Sequence, residues 1–369
     1  MPTKVIVIGA GVVGASVAYR AAQAGADVLV LEAGRVGGGT SGTSFAWTNA
    51  HSKPPRAYHD LNVSGMRAHA ALREEFGATP WWHAGGHLEW VEPDERQAQR
   101  DNVAQLHAWG YAAEWLSRAQ VRELEPDIDP DTIGDAPVAY FPDEGWLDPV
   151  PYLHAMLSAA VRRHGARLVS GARVVDLVVR ADHVRGVRLA DGTVHEADVV
   201  VNCAGRWTND PVRDSGLHLP MAPTVGFLVL TPPVAAGVAR VVRTTLIDAR
   251  PDGAGRLMLH WNPTDATLTP DSPISPTMPQ ARDMMRRLRR LLPSIGEVEA
   301  EAVRLAIRPI PGDALAAVGP VPRVGGYYLA VTHSAVTMSA FIGIAVADEI
   351  VNGRDRAELA SFRPARFFN

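Results

Sequence analysis

The segment Lys4–Gly34, read KVIVIGAGVVGASVAYRAAQAGADVLVLEAG, constrains this chain more than any other. Lys4–Ile8 is a short β-branched run, the pattern of a buried parallel strand. Gly9-Ala10-Gly11-Val12-Val13-Gly14 follows at once, and a helical pattern then runs to about Ala24 and closes at Gly25. A second strand, Asp27–Leu31, ends in Glu32. The result is a βαβ unit with G-x-G-x-x-G at its turn and an acid roughly 20 residues on. Gly9 permits the tight turn, Gly11 lets a pyrophosphate approach the backbone, and Gly14 lets helix and strand pack closely. The helix start offers unpaired N–H groups and partial positive charge to phosphate, and Glu32 can accept from a ribose diol. A dinucleotide site follows. The fingerprint alone leaves FAD and NAD open.

The Gly/Ser/Thr-rich stretch GGGTSGTSFAWTNAH comes a few residues after Glu32. Its hydroxyls and N–H groups predict an extension of the phosphate cradle; a flexible surface loop is the plainer alternative. The rest of the 369 residues predicts helices near 54–78, over PVPYLHAMLSAAVRRHG, over MMRRLRRLL and at the close of the chain through Ile350. Strands are predicted around Asp191-Gly192 and at GGYYLAV, with strand-rich blocks between. Nucleotide-type segments at both ends and in the middle predict two interleaved domains.

Composition excludes several function classes. A formal net charge of −4 gives no reason to expect nucleic acid or an anionic membrane surface. The basic cluster Met284–Leu292 reads as an amphipathic helix with a solvated arginine face. No apolar stretch reaches the length of a membrane span. One cysteine, Cys203, allows no disulfide within the chain and suits a reducing cytoplasm. Cys203 ends a β-branched strand and reads as a small buried hydrophobe. His51 is read as polar lining of its loop, with a covalent flavin link as the alternative. His83 and His87 have metal-like spacing, but Gly85-Gly86 lies between them, no third ligand stands out, and no metal is expected.

Four segments resemble the glycine oxidase and D-amino-acid oxidase or dehydrogenase family of flavoproteins, which includes sarcosine oxidase. They are the opening fingerprint with Glu32, GGGTSGTSFAWTNAH, VVVNCAGRWT, and IRPIPGDALAAVGPVP with YYLAVTHSAVTMSAFIG. The resemblance covers nearly the whole chain. It implies a mixed α/β fold, with a Rossmann-like FAD-binding domain (1–78, 150–218 and 304–369) interleaved with a smaller antiparallel-sheet substrate domain (79–149 and 219–303). It implies FAD held at its pyrophosphate by Gly9, Gly11, Val13 and Gly14, and at the adenosine ribose by Glu32, with Ala33 adjoining. Thr40 and Ser41 continue the cradle, and Phe45, Ala46 and Trp47 line the isoalloxazine. Val174 meets the adenine, Ala204 and Gly205 pass beside the nucleotide, and His333, Ser334, Ala335, Val336, Thr337 and Met338 present N–H groups to the flavin edge. A helix start aimed there stabilises the negative charge of a reduced flavin. For His333 the backbone role is preferred to a side-chain role.

The implied activity is oxidation of the C–N bond of a small amine or amino acid to an imine, by hydride transfer to flavin N5, with O2 or another acceptor taking the electrons. A flavin oxidase that tailors a biosynthetic intermediate, and a flavin-bearing subunit that needs a partner, stand as alternatives. Arg308, His260, Asp248 and Trp47 are the catalytic candidates. Arg308 precedes a proline and carries a fork suited to a carboxylate; it is read as the substrate anchor or as an ion pair between domains. Asp248 is read as a partner for a cationic substrate group or as a turn residue. His260 and Trp261 stand where the family has smaller residues.

Overall fold

The computed structural model describes residues 1–213, 215–222 and 224–368. A six-stranded sheet runs in the order Ala317–Pro320, Tyr327–Val331, Val199–Asn202, Lys4–Ile8, Asp27–Glu32, Arg167–Ser170. Five of its strands are parallel and Ala317–Pro320 is antiparallel. Its strands are apolar without alternation because both faces are covered. Val5, Val7, Val28 and Val30 pack with the helices Val12–Gln23, Pro149–His164 and Ala335–Ile350. Ile6, Ile8, Leu29 and Leu31 face the antiparallel sheet of Val174–Arg180, His183–Leu189 and Val194–Glu196.

An eight-stranded sheet is built from the strand-rich blocks, in the order Ala302–Ile307, Val225–Leu230, Leu257–His260, Asp248–Pro251, Val241–Arg243, His87–Glu89, Val138–Phe141, Glu114–Leu116. It is antiparallel except where Val241–Arg243 runs parallel to His87–Glu89. The boundary expected at 304 falls inside the strand Ala302–Ile307. The arginine-rich helix forms over Pro279–Leu291 and buries Ala281, Met284, Met285, Leu288 and Leu291. These meet Phe227, Val242, Ala249 and Leu259 on one face of the sheet. Side chains alternate across a strand, so Arg243, Asp248, His260 and Leu228 stand on the opposite face, in register with one another.

The mixed α/β class is the one the sequence implies. Among the described residues no helix is long and apolar enough to cross a membrane.

Candidate active site

The nucleotide groove is shaped mainly by backbone. Gly9 has φ 96°, and its N–H donates to Leu31 O at 2.8 Å. A Cβ on Gly14 would lie 2.0 Å from Gly9 O, so only glycine lets helix and turn approach this closely. Gly11 heads the helix Val12–Gln23 with no side-chain cap. Ser41 Oγ accepts from Val12 N–H at 3.1 Å, and Thr40 donates to Ile307 O at 2.8 Å, fastening the Ser/Thr-rich loop to two elements. Glu32 accepts from the N–H groups of Ala10 and Gly34, each at 2.8 Å. A carboxylate offers about four acceptor positions, which leaves two for a diol.

Above this turn lies a cavity of about 430 Å³. Of the expected cofactor residues, Gly9, Gly11, Val13, Glu32, Ala33, Thr40, Ser41, Val174, Ala204, Gly205, His333, Ala335 and Val336 line it. Gly14 lies beneath, as a packing residue. Cys203 also faces the cavity, and burial pushes its thiol well above the usual range, which leaves it inert.

A second cavity, of about 240 Å³, shares Thr40, Ser44, Pro309, His333 and Val336 with the first. Phe45, Ala46, Trp47, Ser334 and Thr337 line it, with Arg308, His260 and Asp248 opposite. Ala46 sits at φ 58°, a left-handed conformation unusual for alanine and of the kind concentrated at functional sites. Buried Arg250 donates to Phe45 O and steadies this turn. The helix Ala335–Ile350 starts where the cavities meet. Ser334 does not cap it, because its hydroxyl accepts from Tyr58 OH at 3.0 Å. The helix start is thus left open. Met338 departs from expectation: its N–H is spent on Ser334 O at 3.0 Å and its side chain is buried in the core.

The polar wall of the second cavity is a closed ion network. His260 Nδ1 lies 3.2 Å from Asp248 and its Nε2 lies 3.0 Å from Asp265. Burial disfavours the imidazolium, but the two carboxylates outweigh it and hold the His260 pKa at about 9. His260 is charged at neutral pH and is no general base there. Arg308 donates through Nη2 to Asp265 and lies 3.3 Å from His260 Nε2. Its guanidinium also presses on Gly226, where an added Cβ would sit 2.9 Å from Nε. The Arg308 fork is thus engaged by Asp265, the ion pair that stands in the sequence as the alternative to a substrate anchor. Asp248 is no turn residue; it begins the strand Asp248–Pro251 and pairs with His260. His333 is accessible through the cavities it lines. Burial, with Lys53, Arg308 and His260 nearby, lowers its pKa to about 3.

Behind Trp47 lies a buried polar cluster. Glu144 accepts from the N–H groups of Ala50 and His51 and from Tyr111 OH, each at 2.9 Å, and lies 3.1 Å from His51 Nδ1. His51 Nε2 is 3.1 Å from Glu89. His51 lines neither cavity. His87 joins His51 and Glu89, with ligand-type atoms within 4.8 Å of one another, while His83 turns away to Asp148 at 2.8 Å. Lys53, Arg243 and Asp265 went unmarked in the sequence reading. Lys53 lies two positions past His51 on the expected loop; sheet register brings Arg243 to the wall, and the short helix Asn262–Asp265 brings Asp265 against His260.

A groove over the carboxyl ends of parallel strands, opening into a polar cavity at a helix start, defines a nucleotide-binding protein with an adjoining small-molecule pocket. A family model described as FAD dependent oxidoreductase matches residues 4–349, and the chain belongs to that family. It is 25% identical over 371 residues to a glycine oxidase of Bacillus licheniformis, covering 98% of this chain and 96% of that one. The structure resembles L-proline dehydrogenase from P. horikoshii, with TM-score 0.84 and 20% identity over 100% of this chain and 98% of the other. It also resembles glycine oxidase from Geobacillus kaustophilus, with TM-score 0.82 and 23% identity over 99% of each. The protein is an FAD-dependent oxidoreductase. The helix start at Gly11, where Ser41 Oγ takes the Val12 N–H and no described side chain takes those of Val13 and Gly14, and the two free acceptor positions of Glu32 fit that cofactor.

Proposed function

We propose that this protein oxidises the C–N bond of a small amine or amino acid to an imine. The observation that carries this reading is the junction of the two cavities at the open start of Ala335–Ile350. FAD, when bound, supplies the acceptor for two electrons. In this reading Gly9, Gly11, Val13 and Gly14 hold the diphosphate and Glu32, beside Ala33, holds the ribose. Thr40, Ser41, Val174, Ala204 and Gly205 flank the nucleotide. Phe45, Ala46 and Trp47 form one wall of the reaction space, and His333 to Thr337 set positive backbone potential against the other. The groove and the eight-stranded sheet then serve as nucleotide-holding and substrate-holding parts, in a reducing cytoplasm. Asp248, His260, Asp265 and Arg308 keep the substrate wall polar but neutral.

The test is anaerobic mixing of the yellow protein with glycine, sarcosine, D-amino acids and proline. A substrate bleaches the flavin bands; the same panel under air, with peroxide detection, tells O2 from another acceptor. A yellow protein that no member of a broad amine panel bleaches would overturn the proposal.

A further inference from the structure

Charge pairing in the second cavity is uneven. Asp248 and Asp265 flank His260, Asp265 also holds Arg308, and Arg243 lies 3.9 Å from Glu89. Glu89 meets His51, which meets Glu144. The His51 pKa is held at about 9: burial opposes its charge, and Glu144 and Glu89 outweigh that. Lys53 also lines the cavity, yet among the described residues its side chain makes no hydrogen bond or ion pair. Of the lysine and arginine side chains lining the cavity, Arg308 is paired to Asp265 and Arg243 lies near Glu89, which leaves Lys53, half-buried, without a direct ion-pair partner among the described residues. Partly burying an ammonium with no direct partner carries a cost that a bound anion removes. Burial lowers the Lys53 pKa to about 8, with Glu144 opposing and Arg243 adding to the fall.

We propose that Lys53, flanked by Arg243, is the carboxylate-binding group of this cavity, and that the substrate is an amine carrying a carboxylate that docks there rather than on Arg308. This rests on the oxidation reading above. A carboxylate at Lys53 supplies the direct partner it lacks and accepts from a free ammonium. At Arg308 it would have to displace Asp265. The sheet register sets the spacing: Arg243 is opposite Asp248, and Asp248 is opposite His260, so Arg243 stands two strands, about 10 Å, from the His260–Arg308 end. The substrate amine then lies between the carboxylate site and the Phe45–Trp47 wall, and Arg308 is a positioning residue that fixes Asp265 and His260.

The test titrates the oxidised yellow protein with acetate, propionate and neutral acetamide, read as perturbation of the flavin spectrum, with flavin content as the folding control. The carboxylates are expected to perturb the spectrum saturably and acetamide is not. Lys53→Met is expected to weaken carboxylate binding by roughly ten- to hundred-fold, the worth of a charged hydrogen bond. Lys53→Arg should recover part of it. Should Lys53→Met lose flavin, Lys53→Gln and Arg243→Gln carry the same comparison. Equal carboxylate affinity in wild type and Lys53→Met overturns the inference, as does a loss confined to Arg308→Gln. Kinetics separate this failure from that of the oxidation reading. A carboxylated amine that bleaches the protein with unchanged KM in Lys53→Met sinks the anchor alone. A protein no amine bleaches, but which still binds acetate through Lys53, sinks the reaction alone.

Discussion

The two adjoining cavities are built by opposite means. The nucleotide groove is made largely of main chain: a left-handed glycine, a helix whose own N-cap residue is a glycine with no side chain, and strand ends held by short backbone bonds. The second cavity is made of side chains that neutralise one another across a sheet face. A backbone-shaped site depends on where a side chain must be missing. A side-chain-shaped site depends on which residues the sheet register brings together. The first should fail abruptly on adding an atom, and the second gradually on removing a charge.

The largest effect is expected from Gly14→Val. Its Cβ would overlap Gly9 O at 2.0 Å, so helix and turn must part. The loss should be roughly 3 kcal/mol or more, seen as colourless or insoluble protein. Normal flavin content in this variant would break the contrast between the cavities. Next is Glu144→Ala, which strips four donors of their shared acceptor. Breaking such a buried ionic cluster costs about 3–5 kcal/mol, read as a lower urea midpoint with the absorbance of any retained flavin little changed.

Those expectations track what the sequence could reveal. The Gly9–Gly14 turn, Glu32 and the strands around them were legible because glycine spacing and unbroken β-branched runs are local signals. The helix Pro279–Leu291 was legible for the same reason, since 3.6-residue spacing is visible along the chain. The wall of the second cavity was not. Asp265 reaches His260 from a short helix after the strand, and Arg243 reaches the same face through pairing with Asp248. Neither neighbour relation has a period or a motif. Arg308 reads from the sequence as a substrate anchor or as an ion pair between domains, and only the fold supplies its partner, Asp265. Met338 was read as part of the open helix start, although its N–H lies far enough into the helix to be satisfied by Ser334.

The pH dependence of stability sharpens the comparison, because the side-chain-built region carries the titrating groups. His51 and His260 have folded pKa values raised from 6.5 to about 9. Their stabilisation is complete below about pH 6.5 and is lost as pH rises through about 9. Lys53, lowered to about 8, acts in the opposite sense above that pH. His69, His87 and His333, all lowered, act below pH 6.5. Unfolding free energy should therefore fall between pH 6.5 and 9, by on the order of 1–3 kcal/mol, as urea titrations at the two values would show. His260→Gln should flatten the slope; an unchanged slope would mean that the wall does not carry the proton.

The smallest effect belongs to a side chain that helps fasten the backbone-built groove. Ser41 Oγ accepts from Val12 N–H and sits in the short turn Thr40–Thr43, which packs against the helix Pro149–His164 and the strand Ala302–Ile307. Ser41→Ala removes one neutral hydrogen bond worth about 1 kcal/mol. Thr40 keeps its own bond to Ile307 O, so the loop stays tethered at its neighbour. FAD affinity of the apoprotein should fall about five-fold, measured by fluorescence during reconstitution. A fall of about a hundred-fold would mean that the hydroxyl itself holds the cofactor, and that the groove depends on side chains as the substrate wall does.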